Sequence, residues 1–234
     1  MRATRVGLST LFPKRKTDPH PPATDGCSLV EEEHELPGSR GEHDLQEALG
    51  TTKRARAFYS NQVLNHVNAH MGEYLARQEM MFVATADAAG NCDCTFRAGQ
   101  PGFVRVFDAR TVAYPEYRGN GVMASLGNLS ENPRIALLFL DFFETTVGLH
   151  INGTAKIESA DLAWLAGWDS GAGPSPERWV VISVDEAYIH CSKHVPQLMR
   201  VPKEIDWGTD DMVKKGGDFF KAKVSPSPWK QPDS

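Results

Sequence analysis

Apolar and polar positions change their rhythm along this chain. From Thr51 onward, Phe58, Val63, Leu64, Val67, Met71, Tyr74 and Leu75 recur at three- and four-residue steps, the spacing of one helix face. Gly50 breaks the chain before this run, Thr51 and Thr52 offer an N-cap, and Arg54, Arg56, Asn61, Gln62 and Asn65 fall largely on the opposite face. The pattern predicts about 20 residues of helix in one or two pieces, with Gly72 as the interruption. Period two then takes over. Residues 80–86 and 92–96 predict two strands around the turn Asp87-Ala88-Ala89-Gly90-Asn91, and residues 103–107 and 111–114 a second pair around Asp108-Ala109-Arg110. A short helix over 122–129 is stopped by Asn132-Pro133. Residues 135–142, apolar almost throughout, predict a strand buried on both faces, and 147–157 alternates as the next. A helical stretch at 160–168, a strand over 178–184 continuing toward His190-Cys191, and a short helix at 192–198 complete the reading. Six or seven short strands joined mainly by tight turns predict a mainly β (α+β) fold, a closed antiparallel barrel with flanking helices. Most connections are too short for the crossovers of a parallel sheet.

The flanks differ. Residues 1–50 hold five prolines, one aromatic, and nine acids against six bases, so they predict a disordered or loosely packed tail. Residues 51–215 then form the barrel domain with its leading helix. Residues 216–234, rich in Lys, Pro and Ser, form a second tail with Phe219, Phe220 and Trp229 as isolated anchors. The full chain of 234 residues carries 25 Lys and Arg against 30 Asp and Glu, a net charge of −5. That balance disfavours a protein that holds nucleic acid by neutralising phosphates. The longest unbroken apolar run, residues 135–140, is far short of the ~20 residues of a membrane span. Residues 1–16 lack the apolar stretch of a signal peptide, and four scattered cysteines make no disulfide framework. A soluble protein with reduced thiols in a cytoplasmic setting is expected.

Two glycine-rich loops carry the clearest chemistry. One runs from Arg97 to Gly102. The other, Tyr117-Arg118-Gly119-Asn120-Gly121, precedes the short helix that holds Ser125 and Asn128. Glycine beside arginine, with a helix start nearby, suits a phosphate or other anion, because backbone N–H groups approach closely and a guanidinium bonds bidentately. Glycines that only make turns beside solvated arginines would leave the same pattern. Arg105 shares a strand face with Phe103 and Phe107, which puts it on an exposed face or against a ligand. Cys92, Cys94, His190, Cys191 and His194 are a conceivable zinc set, although C-x-C lacks the usual knuckle spacing. There is neither a Walker, a Rossmann nor a Gly-x-Ser-x-Gly motif.

From Phe82 to Asp141 the string becomes specific. Val83-Ala84-Thr85-Ala86-Asp87 with Gly90 is followed by Phe96-Arg97, Gly99 and Pro101-Gly102-Phe103-Val104-Arg105-Val106. Then come Tyr114-Pro115, Arg118-Gly119-Asn120, Leu126-Gly127-Asn128 and Glu131-Asn132-Pro133-Arg134 before Leu137-Leu138-Phe139. This series resembles the pyridoxamine 5'-phosphate oxidase-like family of FMN-binding split-barrel proteins, in a branch apart from the authentic vitamin B6 oxidases. The resemblance implies a homodimer of six-stranded antiparallel Greek-key split barrels with FMN at the subunit interface, and an FMN-dependent oxidoreductase acting on a small molecule. A deazaflavin coenzyme on the same barrel, or a flavin-binding protein without turnover, are its alternatives. By the same resemblance Arg97 meets the FMN phosphate, Val104, Arg105 and Val106 run along the flavin ring, and Arg118, Asn120 and Ser125 complete the phosphate and ribityl contacts. Arg97→Ala is therefore expected to lose flavin and keep the fold. Val147-Gly148-Leu149-His150 stands where the B6 oxidases carry a glutamine, and Tyr188–His194 replaces their Trp/Arg pattern. His190 or Cys191 is then the group that reaches a partner's flavin, unless its role is structural.

Overall fold

The computed structural model describes residues 36–160, 176–206 and 211–230. The chain divides at Leu36/Pro37, and the unit Pro37–Ser234 carries all the structure that follows. Its helices are α1 (Arg40–Ala48), α2 (Thr52–Gln62), α3 (Ala69–Leu75) and α4 (Ala124–Glu131). Its strands are β1 (Val63–Leu64), β2 (Met80–Ala86), β3 (Cys92–Ala98), β4 (Arg105–Asp108), β5 (Thr111–Glu116), β6 (Arg134–Leu140), β7 (Gly148–Ser159) and β8 (Arg178–His190). Among the described residues no helix is long and apolar enough to cross a membrane.

All eight strands pair antiparallel in one sheet, in the order β3-β2-β6-β7-β8-β5-β4, with the short β1 added to β8. The sheet is not closed: β3 and β4 stand at the two ends of the path, where a closed barrel was expected. The split is bridged by side chains, because Arg97 of β3 binds Glu116 at the end of β5. One face of the sheet curls around the core. Met81 and Val83 of β2, Leu137 and Phe139 of β6, Ile151 of β7 and Ile182 of β8 are fully buried there with Val112 and Tyr114 of β5. On β2, β6 and β7 they alternate with less buried neighbours, the period-two pattern expressed as one buried face, whereas β5 is buried on both faces from Val112 to Glu116. Gly153 is required on that face, since a Cβ there would stand 2.2 Å from the Ser183 carbonyl oxygen. Here β7 and β8 shift register, leaving Asp185 as the extra residue. Helix α4 packs against β2, β3 and β7, and brings its amino end to the split.

Three local expectations change. The run 51–75 breaks at Val63-Leu64 and not at Gly72, because these two residues pair with Tyr188 and Ala187 of β8. Residues 192–198 form only a 3-10 turn at Ser192–His194. Pro196 follows it, and Leu198 then donates to the Phe142 carbonyl at 2.7 Å, so the chain runs on in extended form. Within the expected tail, α1 forms on a capping box: Ser39 accepts from the Glu42 amide, and the Glu42 carboxylate accepts from the Ser39 amide. No residue of α1 is buried. Most of the helix expected at 160–168 lies outside the described residues.

Candidate functional site

Strand β3 alternates Cys92, Cys94 and Phe96 outward with Asp93, Thr95 and Arg97 inward. On the neighbouring β2 the inward positions are Met81, Val83 and Thr85, so β3 places a polar row on a face that is otherwise core. That row, the end of β5, the loop 117–123 and the start of α4 enclose a cavity of about 630 Å³, within the roughly 300–1,000 Å³ usual for small-molecule sites.

Arg97 organises this cavity. Its Nε donates to both Glu116 oxygens at 3.0 and 3.1 Å, and its Nη2 donates to Glu116 Oε1 at 2.8 Å. Nη1 donates to Thr95 Oγ1 at 2.8 Å and to the Phe96 carbonyl at 3.2 Å. The remaining Nη2 hydrogen meets Ser125 Oγ at 3.5 Å, and that hydroxyl meets Asp93 at another 3.5 Å. Ser125 and Arg97 are thus weakly engaged with each other, while the Arg97–Glu116 pair is tight. Tyr114, two residues before Glu116 and fully buried, has its phenol pKa raised, first by burial and then by the negative charge of Glu116.

Helix α4 opens onto the same space without a side-chain cap. Met123, in the left-handed conformation at φ 56, occupies the N-cap position, and its side chain makes no capping hydrogen bond. An uncapped amino end presents bare N–H groups and a partial positive charge, the arrangement that binds anions. Asn120 shapes the approach by accepting from the Val122 amide at 3.0 Å. Asn128, one turn into α4, donates to Thr85 Oγ1 at 3.0 Å and ties the helix to β2.

The structure therefore brings Arg97, Arg118, Asn120 and Ser125 to one cavity. Val104, Arg105 and Val106 do not line it. Val104 is buried in the core, Val106 packs on that core, and Arg105 pairs with Ala113 on the outer side of β4 and β5. Glu116, Asp93 and Lys215 line the cavity but were not singled out from the sequence. Asp93 was accessible through the alternation of β3, but nothing local links Glu116 or Lys215 to Arg97.

The remaining chemistry-bearing residues lie elsewhere. Cys92 and Cys94 sit on β3, His190 and Cys191 at the end of β8, with β2, β6 and β7 between them, four strand spacings of about 4.8 Å. The structure does not bring that zinc set together, and among the described residues no group of three or more His, Cys, Asp or Glu gathers for a metal. His190 Nδ1 instead meets His150 Nε2 at 2.9 Å, and the His150 ring stacks on Tyr188 with centroids 4.7 Å apart. Burial, then the neighbouring His190, lowers the His150 pKa.

A sequence model of a family described as pyridoxamine 5'-phosphate oxidase matches residues 67–191, more than half of the chain. No curated protein matches the chain. Among solved structures, HupZ of Group A Streptococcus is 22% identical, covers 56% of this chain and 99% of its own, and has a TM-score of 0.43. An FMN-binding protein from Syntrophomonas wolfei is 11% identical over 69% of this chain and 100% of its own, with a TM-score of 0.39. HutZ of Vibrio cholerae, described as a heme storage protein, is 13% identical over 53% of this chain and 93% of its own, with a TM-score of 0.38.

Proposed function

The chain belongs to the pyridoxamine 5'-phosphate oxidase family, and from that premise we propose that it is an FMN-binding oxidoreductase with its flavin phosphate in the cavity at the split of the sheet. The observation that carries this reading is the meeting of the uncapped α4 amino end with Arg118, Ser125 and the loosely held Nη2 hydrogen of Arg97 in one cavity. Each supplies N–H or O–H donors to an anion, and none is a generic feature of a sheet edge. Arg97 is fixed by Glu116 and Thr95, so its last donor is aimed before the ligand arrives. Bound flavin would supply the hydride or electron chemistry, and the protein its orientation and electrostatic surroundings.

The flavin ring requires a second wall, and the proposed source is a second copy of the chain. The outer sheet face supports this: Phe96, Phe82, Leu138, His150 and Tyr188 form one row across β3, β2, β6, β7 and β8. The small residues Ala84 and Ala136 stand in the next row. The purified protein should be yellow and release FMN on denaturation, identified by mass; a deazaflavin would differ in both spectrum and mass. Arg118→Ala should weaken FMN binding about tenfold at an unchanged melting temperature, since Arg118 lies on an exposed loop. A colourless protein that also fails to bind added FMN would overturn the reading.

A further inference from the structure

Tyr114 is fully buried, yet its hydroxyl makes no hydrogen bond among the described residues. A buried hydroxyl left without a partner costs free energy, and in a native structure such a group calls for a reason. It stands on β5 two residues before Glu116, and positions two apart on a strand share a face. Glu116 is near enough for its negative charge to raise the phenol pKa, with burial the larger cause. The phenol therefore has an acceptor at hand, and that acceptor is occupied by Arg97.

The way Arg97 is occupied matters. A guanidinium grips a carboxylate or phosphate best along one edge, through two parallel N–H groups. Nε and Nη2 of Arg97 form such an edge, and Glu116 fills it. Nη1 is tied to Thr95 and Phe96 of the same strand, β3. In this pairing a ligand meets a single Nη2 hydrogen, shared with Ser125 at 3.5 Å. Glu116 thus sits where the anionic end of a ligand would be gripped most firmly. Its carbonyl accepts from the Glu177 amide at 2.8 Å, which fixes the backbone and leaves the side chain as the part that can turn.

We propose that Glu116 stands in for the ligand's anion and that Tyr114 is its second partner: as a phosphate takes the Nε–Nη2 edge of Arg97, the Glu116 carboxylate passes to the Tyr114 hydroxyl. This rests on the cavity being the phosphate site. Before the exchange the guanidinium has Glu116 as its counter-charge and the phenol is idle. After it the guanidinium has the phosphate, and the carboxylate accepts from the phenol. Neither Arg97 nor Glu116 is stranded in either arrangement, which is what makes an exchange between buried groups feasible. Glu116 and the phosphate compete for Arg97, so Glu116 lowers the ligand affinity. Tyr114 offsets part of that loss by receiving the carboxylate.

The test compares the full-length wild type with Tyr114→Phe and Glu116→Gln. FMN and riboflavin, which lacks the phosphate, are titrated by flavin fluorescence, and melting temperatures are measured without ligand. Tyr114→Phe removes only the idle hydroxyl, so it should melt no lower than wild type, bind riboflavin equally and lose about tenfold in FMN affinity. Glu116→Gln keeps the shape of the side chain and drops its charge. It should gain about tenfold in FMN affinity with riboflavin unchanged, although its unliganded form melts lower. Opposite changes at two neighbouring positions separate the exchange from a structural role, which would weaken both ligands in both variants. If wild type binds FMN but Tyr114→Phe binds it as tightly, or Glu116→Gln binds it no more tightly, the exchange does not occur and the cavity reading stands. If FMN and riboflavin weaken together in Tyr114→Phe, the phenol has only a structural part and the proposal fails. Should Glu116→Gln not fold, Tyr114→Phe decides alone. If wild type binds no FMN, the cavity reading falls and this inference with it.

Discussion

With Nε, Nη1 and one Nη2 hydrogen committed to Glu116, Thr95 and Phe96, Arg97 has a single donor to turn toward a ligand. The same guanidinium therefore serves the fold before it serves an anion. The pair is well shielded, with 25% of the Arg97 side chain and 9% of the Glu116 side chain exposed. Removing either partner leaves the other charge poorly solvated, a loss of about 3–5 kcal/mol for fully buried pairs. Arg97→Ala is thus expected to destabilise the protein by about 3 kcal/mol through the stranded Glu116 carboxylate, which revises the expectation that the fold would be unaffected. Flavin lost by this variant would not by itself report a phosphate contact. The double variant Arg97→Met/Glu116→Gln removes both charges and should recover most of the stability, as measured by chemical denaturation. A double variant no more stable than Arg97→Ala would mean the pair itself, and not the stranded charge, sets the loss.

At the scale of elements, the turn between β6 and β7 couples the sheet to the extended chain beyond β8. Asp141 accepts from the amides of Phe143, Glu144 and Thr145 at 3.0, 3.0 and 2.9 Å and from the Thr145 hydroxyl at 2.8 Å. Burial pushes its carboxyl up, but these donors outweigh that and hold it at about 2. The folded form therefore binds its proton less readily than the unfolded chain. The stabilisation is present above the ordinary carboxylate pKa of 3.8 and disappears as the pH falls toward 2. The turn in turn presents the Phe142 and Phe143 carbonyls to Leu198 and Gln197, and Arg200 stacks 4.2 Å over the Phe143 ring while pairing with Glu79. Asp141→Ala should lower stability by about 1–2 kcal/mol, and the Leu198 amide should exchange hydrogen faster than in wild type. Unchanged exchange would show that the extended chain is held without the turn. Elements whose cause is local were legible in the sequence: β2 was read with its observed limits, and β5 and β6 within two residues, because each carries its own alternation or apolar run. Val63-Leu64 were misread because their strand pairing comes from β8, more than 120 residues away, while their apolar character fits a helix face equally well. The site divided in the same way. The loop holding Arg118 and Asn120 announced itself through its glycines, whereas the Arg97–Glu116 pair and Lys215 exist only because the fold closes distant segments onto one cavity.

For the whole molecule, the two faces of the sheet pose different problems. The inner face is satisfied by the core, but the outer face exposes Phe96 at 51% and keeps Phe82, Leu138 and Tyr188 only partly covered. Phe82 and Phe96 already pack edge to face with centroids 5.7 Å apart, so the row is ordered before any partner arrives. A largely apolar row beside the small Ala84 and Ala136 is costly to leave in water and lets a second backbone come close. The proposed partner is a second copy of this chain, which would bury the row and supply the wall that the flavin ring lacks. Ala84 separates this role from that of the fold, because it is exposed on β2 and its side chain takes no part in the core. Ala84→Arg should leave the melting of the isolated fold nearly unchanged. It should also shift the mass in solution from twice 25.8 kDa to 25.8 kDa, read by light scattering after size separation. FMN affinity should fall with the dimer if the ring lies between two copies, although every cavity residue is intact. A variant that becomes monomeric yet keeps full FMN affinity would confine the flavin site to one chain, and a variant that stays dimeric would place the interface on another face.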